Sequence, residues 1–292
     1  MQGNFLFLGS KAQHFKNLNA RVVPYTFKQY NDGEISFKID ADLYEKVVTI
    51  IHSTSAPTND QVIELLIMVD AIKNFFPKKI KLIMPYFGYS RQDRFMAAGT
   101  SISAKVIANL IGRSGVNELT VLDLHTPQQV GFFPMPVKHL SAVPLFANYI
   151  KENLDNAVIV SPDIGGVKRA ETLSDLTKLP LNIINKKRND DGNIIQSTLI
   201  GHVKGKQCVL LDDMIDSGET LKTAAALLLN EGADCVHAFA THGVFSKKVD
   251  FTTSAIKCVH VTDSIHHENL PDRVDILSIH DLLQYQVNDN AS

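Results

Sequence analysis

Short runs of β-branched and apolar residues alternate along the chain with stretches whose apolar positions recur at helical spacing. Val47–Ile51 reads as a strand, Gln61–Phe75 as a helix too densely apolar for a surface element, and Lys81–Tyr86 as a strand. Ser101–Ile111 follows as a helix and Leu119–Leu124 as a strand. The rhythm then repeats, with helices at Val143–Asn153, Gly166–Lys178 and Glu219–Asn230. Strands Ala157–Ser161, Leu181–Ile184, Cys208–Leu211 and Cys235–Ala240 are interleaved with them. In the last helix Leu221, Ala224, Ala225 and Leu228 form one buried stripe, and Asn230-Glu231-Gly232 ends it. Such alternation predicts an α/β fold of two tandem domains, each a mainly parallel sheet flanked by helices. The domains are expected at residues 1–139 and 140–292, meeting near Lys138–Val143, with the last segment free to pack back on the first domain. Lys186–Gln196 is polar and has neither period, so it reads as an exposed mobile loop.

Composition narrows the class without naming a chemistry. The chain has 292 residues, 45% hydrophobic and 21% charged, which excludes disordered and fibrous classes. Its 29 basic and 31 acidic residues leave a net charge of −2, so no overall basic field holds a nucleic acid. No apolar stretch approaches the roughly 18 residues of a membrane span. The apolar run Phe5–Leu8 is too short for a secretory leader. Cys208, Cys235 and Cys258 form no C-x-x-C pair, and Cys208 and Cys235 are expected to be plain buried thiols. A cytoplasmic protein without a nucleic-acid or membrane partner is expected.

The strongest chemical signal is Val209–Thr220, where an apolar run delivers Asp212 and Asp213 and then a turn of Ser217, Gly218 and Thr220 opens a helix. Ligands of open parallel sheets bind beyond the carboxyl ends of strands. Backbone N–H groups at such a helix start converge on an anion, most naturally a phosphate. The paired acids suit the hydroxyls of an attached sugar, or a metal near them; the plain alternative is a turn with Asp and Ser chosen for capping.

This segment resembles the phosphoribosyl-pyrophosphate motif of type I phosphoribosyltransferases. The first half narrows the resemblance. Pro85–Arg94 (PYFGYSRQDR), Ile102–Lys105, Asn31–Glu34, Thr54–Asp60, Asp123–His125 and Ser161–Val167 are similar, in order, to ribose-phosphate pyrophosphokinases. The resemblance implies two phosphoribosyltransferase-like domains, the first carrying an ATP site and the second a ribose 5-phosphate site. It implies transfer of the β,γ-diphosphoryl group of ATP to the 1-hydroxyl of ribose 5-phosphate, with Mg2+ as cofactor. Residue by residue, it places the sugar phosphate at Asp216, Ser217, Gly218, Glu219 and Thr220, and the ribose hydroxyls at Asp212 and Asp213. Arg91 and Gln92 match ATP-binding positions. Tyr30, Asp32 and Glu34 match a segment that reaches the adenine of a neighbouring subunit, which implies a homo-oligomer. His125 and Asp163 match metal-associated positions from opposite halves, and Lys186 and Arg188 match the basic pair of the catalytic loop, with His125 beside them in the chemistry. Read without the family, His125 is a hydrogen-bonded residue after a strand, Asp163 is equally a helix cap or a site residue, and Lys186 and Arg188 are solvated cations. His266-His267 has nothing beside it to complete a metal site and is taken as solvated.

Three departures stand out. Phe95-Met96-Ala97-Ala98-Gly99 is apolar where the family carries charge. Glu219 replaces a small residue; a loop that binds through its backbone tolerates a side chain turned away. Tyr44-Glu45 stands where phosphate-activated members have Arg-Gly, and their serine-rich ending is absent, so weak phosphate activation is expected. Three other functions compete. A nucleobase phosphoribosyltransferase accounts for the second half but not for Arg91 and Gln92. A non-catalytic regulatory partner should have lost Lys186, Arg188, His125 or Asp163. A gene regulator sensing phosphate would need a DNA-binding module.

Overall fold

The computed structural model describes residues 5–188 and 194–289, and divides into two compact units. The first comprises the described residues of Met1–Leu140, Ser264–His266 and Ile279–Ser292; the second comprises Ser141–Asp263 and His267–Ser278. The last helix, α6 (His280–Asn288), therefore belongs to the first unit.

In the first unit, β1 (Phe5–Leu8), β2 (Arg21–Val22), β5 (Val47–Ile51), β6 (Lys79–Met84), β7 (Glu118–Leu122) and β8 (Val137–Leu140) form one sheet in the order β2-β1-β5-β6-β7-β8. All its neighbours pair in parallel. A separate antiparallel hairpin joins β3 (Tyr25–Gln29) to β4 (Ile35–Ile39). Helices α1 (Thr58–Lys73) and α2 (Ser103–Ser114) cover the sheet. Leu65, Met68, Val69 and Ile72 of α1 enter a core with Phe7, Ile50, Leu82 and Val121, which explains why this helix is apolar beyond one stripe. Helix α1 also buries two polar residues, Gln61 and Glu64.

The second unit contains α3 (Val143–Asn153), β9 (Ala157–Ser161), α4 (Val167–Thr177), β10 (Leu181–Arg188), β11 (Ile194–Ile200), β12 (Gln207–Ile215), α5 (Glu219–Asn230), β13 (Cys235–Gly243), β14 (Ile256–Thr262) and β15 (Val274–Leu277). Its sheet runs β11-β10-β9-β12-β13-β14-β15 and is parallel except for β11. The predicted stripe of α5 is buried as expected.

Three expectations need correction. Lys186–Gln196 is not a plain loop: β10 and β11 pair antiparallel through it, with Lys186 opposite Ser197 and a bulge at Lys187/Arg188. An edge ladder needs only backbone groups, so its polar sequence gave no strand period. Strand β12 continues four residues past Leu211, carrying both acids within the ladder. Cys235 is only half-buried, whereas Cys208 is fully buried as expected.

Candidate active site

Strand β12 brings Asp212 and Asp213 to the carboxyl end of the second sheet, with Asp213 buried and Asp212 half-buried. The Asp213 N–H donates to Asp212 Oδ1 at 2.9 Å. Helix α4 supplies one cation for both: Arg169 Nη1 lies 3.5 Å from Asp213 Oδ1 and 3.9 Å from Asp212 Oδ1. Burial pushes the Asp212 carboxyl up to about 7, the neighbouring Asp213 charge pushes the same way, and Arg169 opposes them. The two acids thus share one arginine side chain. Arg169 was not legible in the sequence, because only α4 packing beside β12 brings it to the acids.

Beyond Ile215 the chain turns through Asp216, Ser217 and Gly218 into α5. Asp216 Oδ1 accepts hydrogen bonds from the Ser246 N–H, at 3.0 Å, and from the Ser246 hydroxyl. Those bonds tie the turn to the segment after β13. Gly218 has φ 75°, and a Cβ there would lie 2.9 Å from Phe251 Cε1, so both conformation and space call for glycine. Gly218 is also the N-cap of α5 and brings no cap side chain of its own; Ser217 Oγ beside it accepts from the Glu219 N–H at 3.5 Å. Glu219 is exposed and pairs with Lys222 Nζ at 3.0 Å, a partner on its own helix. Ser217 and Thr220 are exposed at the same turn. On the Ser246 side lies a pocket of about 630 Å³ lined by Lys247, Lys248 and His267, among others.

Asp163 stands in the turn between β9 and α4. Its Oδ1 accepts from the Gly166 N–H at 3.0 Å and its backbone oxygen from Ser161 Oγ at 2.7 Å. The turn lies against β12, since a Cβ on Gly166 would sit 3.9 Å from the Leu211 carbonyl. Lys186 is half-buried in the β10 ladder. The Arg188 backbone closes β10, and its side chain lies outside the described residues, as do residues 189–193.

In the first unit, Arg91 and Gln92 follow the buried segment after β6 and are exposed. Gln92 Oε1 accepts from Ser103 Oγ at 2.8 Å and the Gln92 carbonyl from the Ala104 N–H at 3.1 Å, so Gln92 holds the start of α2. Next to it, Asp93 Oδ2 accepts from Thr126 Oγ1 at 2.7 Å and from Gln129 Nε2 at 3.1 Å. Burial would raise the Asp93 carboxyl, but these two bonds and the nearby His125 hold it below its usual value. This network joins the Arg91 segment to His125, and sequence reasoning missed its members Asp93, Thr126 and Gln129. Phe95 and Met96 beside it are exposed. Tyr30, Asp32 and Glu34 are exposed at the turn of the separate β3–β4 hairpin, where Lys28 Nζ lies 4.4 Å from the Tyr30 ring centre. The structure thus groups the Asp212–Thr220 residues in one unit, and links Arg91 and Gln92 to His125 in the other.

His266 and His267 are not simply solvated. His266 stacks on His14 with ring centres 4.9 Å apart, and His267 Nε2 lies 2.6 Å from the Gly243 carbonyl. No helix among the described residues is long and apolar enough to cross a membrane.

Residues 11–115 match the family described as the N-terminal domain of ribose phosphate pyrophosphokinase, and residues 142–272 match the phosphoribosyl transferase domain. The ribose-phosphate pyrophosphokinase of Rhizobium meliloti is 44% identical over 252 residues, 85% of this chain and 81% of that protein. Ribose-phosphate pyrophosphokinase 2 of Enterococcus faecalis is 45% identical over 243 residues, covering 82% of this chain and 75% of its own length. The crystal structure of phosphoribosylpyrophosphate synthetase from Mycobacterium smegmatis superposes with a TM-score of 0.90 at 35% identity, covering 97% of each chain.

Proposed function

The chain belongs to the ribose-phosphate pyrophosphokinase family, and from that premise we propose how its own residues carry the reaction. It is an enzyme that converts ATP and ribose 5-phosphate to AMP and 5-phosphoribosyl 1-diphosphate. The ribose 1-hydroxyl oxygen gives up its proton to solvent and forms a bond to the β-phosphorus of ATP as the bond from that phosphorus to the AMP oxygen breaks. The observation that carries the assignment of roles is the turn Asp216–Thr220, with a left-handed glycine at the start of α5 and two adjacent acids just before it, one of them pushed up to about 7.

The 5-phosphate is held by the first-turn N–H groups of α5 with the Ser217 and Thr220 hydroxyls, while Asp216 keeps the turn in place through Ser246. Glu219 contributes its backbone, its side chain being paired with Lys222. Asp212 and Asp213, as carboxylates, accept hydrogen bonds from the ribose hydroxyls. Arg91 and Gln92 bind ATP in the first unit, with Asp93 fixing the segment that presents them. Tyr30, Asp32 and Glu34 reach the adenine bound by a neighbouring subunit, which requires a homo-oligomer. Lys186 and Arg188 neutralise charge that builds on the transferring phosphates.

The residues fit Mg2+ in part. Asp163 would hold it through a hard carboxylate oxygen, Oδ1 meanwhile accepting from the Gly166 N–H. His125, a nitrogen donor, suits that ion less well and fits better as a hydrogen-bonding neighbour of the ligated phosphates. When bound, Mg2+ lowers the charge repulsion between the triphosphate and the attacking oxygen. Residues 1–139 and 140–292 are the nucleotide and sugar-phosphate domains of this reading, with the helix α6 returning to the first. Weak phosphate activation and a cytoplasmic location belong to the same proposal.

The test is to incubate the protein with ATP, ribose 5-phosphate and Mg2+ and follow AMP. Ribose-dependent AMP release is expected, and ADP release or no turnover overturns the reading. Lys186→Ala should lower kcat by roughly 10²–10³, as loss of a preorganised charge donor does; an unchanged kcat removes Lys186 from the chemistry.

A further inference from the structure

On the face of the second sheet that packs under α3, β13, β14 and β15 bring two histidines, a cysteine and an aspartate together. In the parallel register His237 stands opposite Cys258, Phe239 opposite His260, and His260 opposite Asp275. Residues two apart on a strand share a face, so Cys258 and His260 project to the same side. Cys258 Sγ lies 3.1 Å from Asp275 Oδ2. One donor atom from each of Cys258, His260 and Asp275 lies within 4.8 Å of the others. His260 is 1% exposed, walled by Phe239 at 4.4 Å and Tyr149 at 4.7 Å between ring centres. Its Nε2 lies 3.4 Å from His237 Nδ1, and its Nδ1 is buried without a hydrogen-bond partner among the described residues.

We propose that Cys258, His260 and Asp275 bind a borderline-soft transition-metal dication of the Zn2+ class, with His237 orienting the His260 ring. The proposal is independent of the roles assigned at the active site. A thiol, an imidazole and a carboxylate together suit Zn2+ and disfavour Mg2+, which prefers oxygen. Around a tetrahedral ion with bonds of roughly 2.0–2.3 Å, donors sit less than about 4 Å apart. Small rotations of the half-buried Cys258 and the exposed Asp275 close the set. A buried imidazole nitrogen without a partner is costly unless something binds it, and a ligating histidine characteristically has its second nitrogen fixed by a neighbour, here His237. Exposed Asp275 gives the ion an entry path and leaves a fourth position for water. Lys257 is the nearby cation, and as a strand neighbour of Cys258 it points to the opposite face. Burial and His237 hold the His260 imidazole down at about 4, the neutral form a metal needs. The Cys258 thiol is pushed up to about 12 by burial and by Asp275, so binding must displace its proton into solution as the sulfur–metal bond forms. Along β13 this cluster is separated from the sugar-phosphate turn by the stretch from His237 to Gly243, roughly 20 Å at the rise of an extended strand.

The full chain is titrated with Zn2+ by calorimetry in buffers of differing ionisation enthalpy, and with Co2+ by absorption spectroscopy. The expected result is tight binding of Zn2+ with proton release, and a near-ultraviolet thiolate-to-Co2+ band. Cys258→Ser should abolish the band, and Asp275→Asn should weaken Zn2+ binding roughly tenfold or more. Asp275 is exposed, so that variant keeps its fold, with AMP release in Mg2+ unchanged as the control. Absence of the Co2+ band in the unaltered chain, or Zn2+ affinity in both variants unchanged from the unaltered chain, overturns the proposal.

Discussion

Glu64 of α1 and Asp212 of β12 are both carboxylates set against the apolar core of their unit, and their surroundings move them in opposite directions. Around Glu64 the chain gathers donors: the Ser10 N–H at 2.7 Å, Ser10 Oγ at 2.6 Å and Gln61 Nε2 at 3.1 Å. His52 Nε2 adds a contact at 3.5 Å. Burial alone would raise this acid, but His52 and Ser10 outweigh it and hold the carboxyl down at about 2. Asp212 has a second acid as its neighbour, one backbone N–H at 2.9 Å and a distant share of Arg169, and burial with the neighbouring charge raises it to about 7. An acid whose donors are supplied within the fold serves the fold. One raised by burial and by a neighbouring acid at a strand end, beside the start of a helix, is set for a ligand.

The largest effect that would test this contrast lies on the Glu64 side. Glu64→Gln removes the charge from three hydrogen bonds in a buried site and should cost about 2–4 kcal/mol of stability, read as a lower denaturation midpoint. The Michaelis constants for both substrates should stay unchanged, and a raised KM for either would show that this acid serves function. The pH dependence carries the same sign. A carboxyl depressed in the folded chain adds stability above its unfolded value of 4.5, and loses that contribution as pH falls toward about 2.

Asp212→Asn should do the reverse. It relieves repulsion with Asp213, so the ligand-free protein should melt no lower than the parent. It also removes a charged acceptor for the ribose hydroxyls, worth about 1.5–3 kcal/mol, or roughly 10- to 100-fold in the KM for ribose 5-phosphate. Because the folded chain holds its proton between 3.8 and about 7, ligand-free stability should fall as pH rises across that window and level off above it. Over the same window kcat/KM for ribose 5-phosphate should rise, and the rise should vanish in Asp212→Asn. A flat profile in the parent would remove the distinction between the two acids.

How far this contrast could be read from the chain depends on what each half of it needs. Asp212 and Asp213 were legible because two acids directly after a buried apolar run are costly unless used. The helix α5 was legible because its stripe and its glycine stop agree. Glu64 was not, since a single acid within an apolar helix looks the same whether it faces water or, as here, Ser10 and His52 on other elements. Arg169 escaped for the same reason: its partner is set by α4 packing on β12, a tertiary fact without local spacing. Strand β1 looked only like a short apolar run, and the β10–β11 arms looked like a loop. Backbone pairing at a sheet edge does not constrain which side chains appear there. His260 and Cys258 showed no motif because their partners come from three strands.

The smallest effect is expected at the turn itself. Gly218→Ala puts a Cβ on a residue at φ 75° and 2.9 Å from Phe251 Cε1. The left-handed backbone costs an L-residue about 1–2 kcal/mol, and the Phe251 ring must shift to admit the methyl. Part of that cost falls on folding, so the midpoint should drop modestly. The remainder should fall on the geometry of the α5 N–H groups, raising the KM for ribose 5-phosphate by about five- to tenfold, with the KM for ATP unchanged. The asymmetry between substrates is the informative quantity. If the turn binds the sugar phosphate through its backbone, a change that leaves every charged side chain in place still acts on that substrate alone. If both constants move together, the strain is spreading through the whole unit and the turn is not a separate anion site. If neither moves while stability falls, Gly218 is needed for the fold alone and the side chains of Ser217 and Thr220 must hold the phosphate without it.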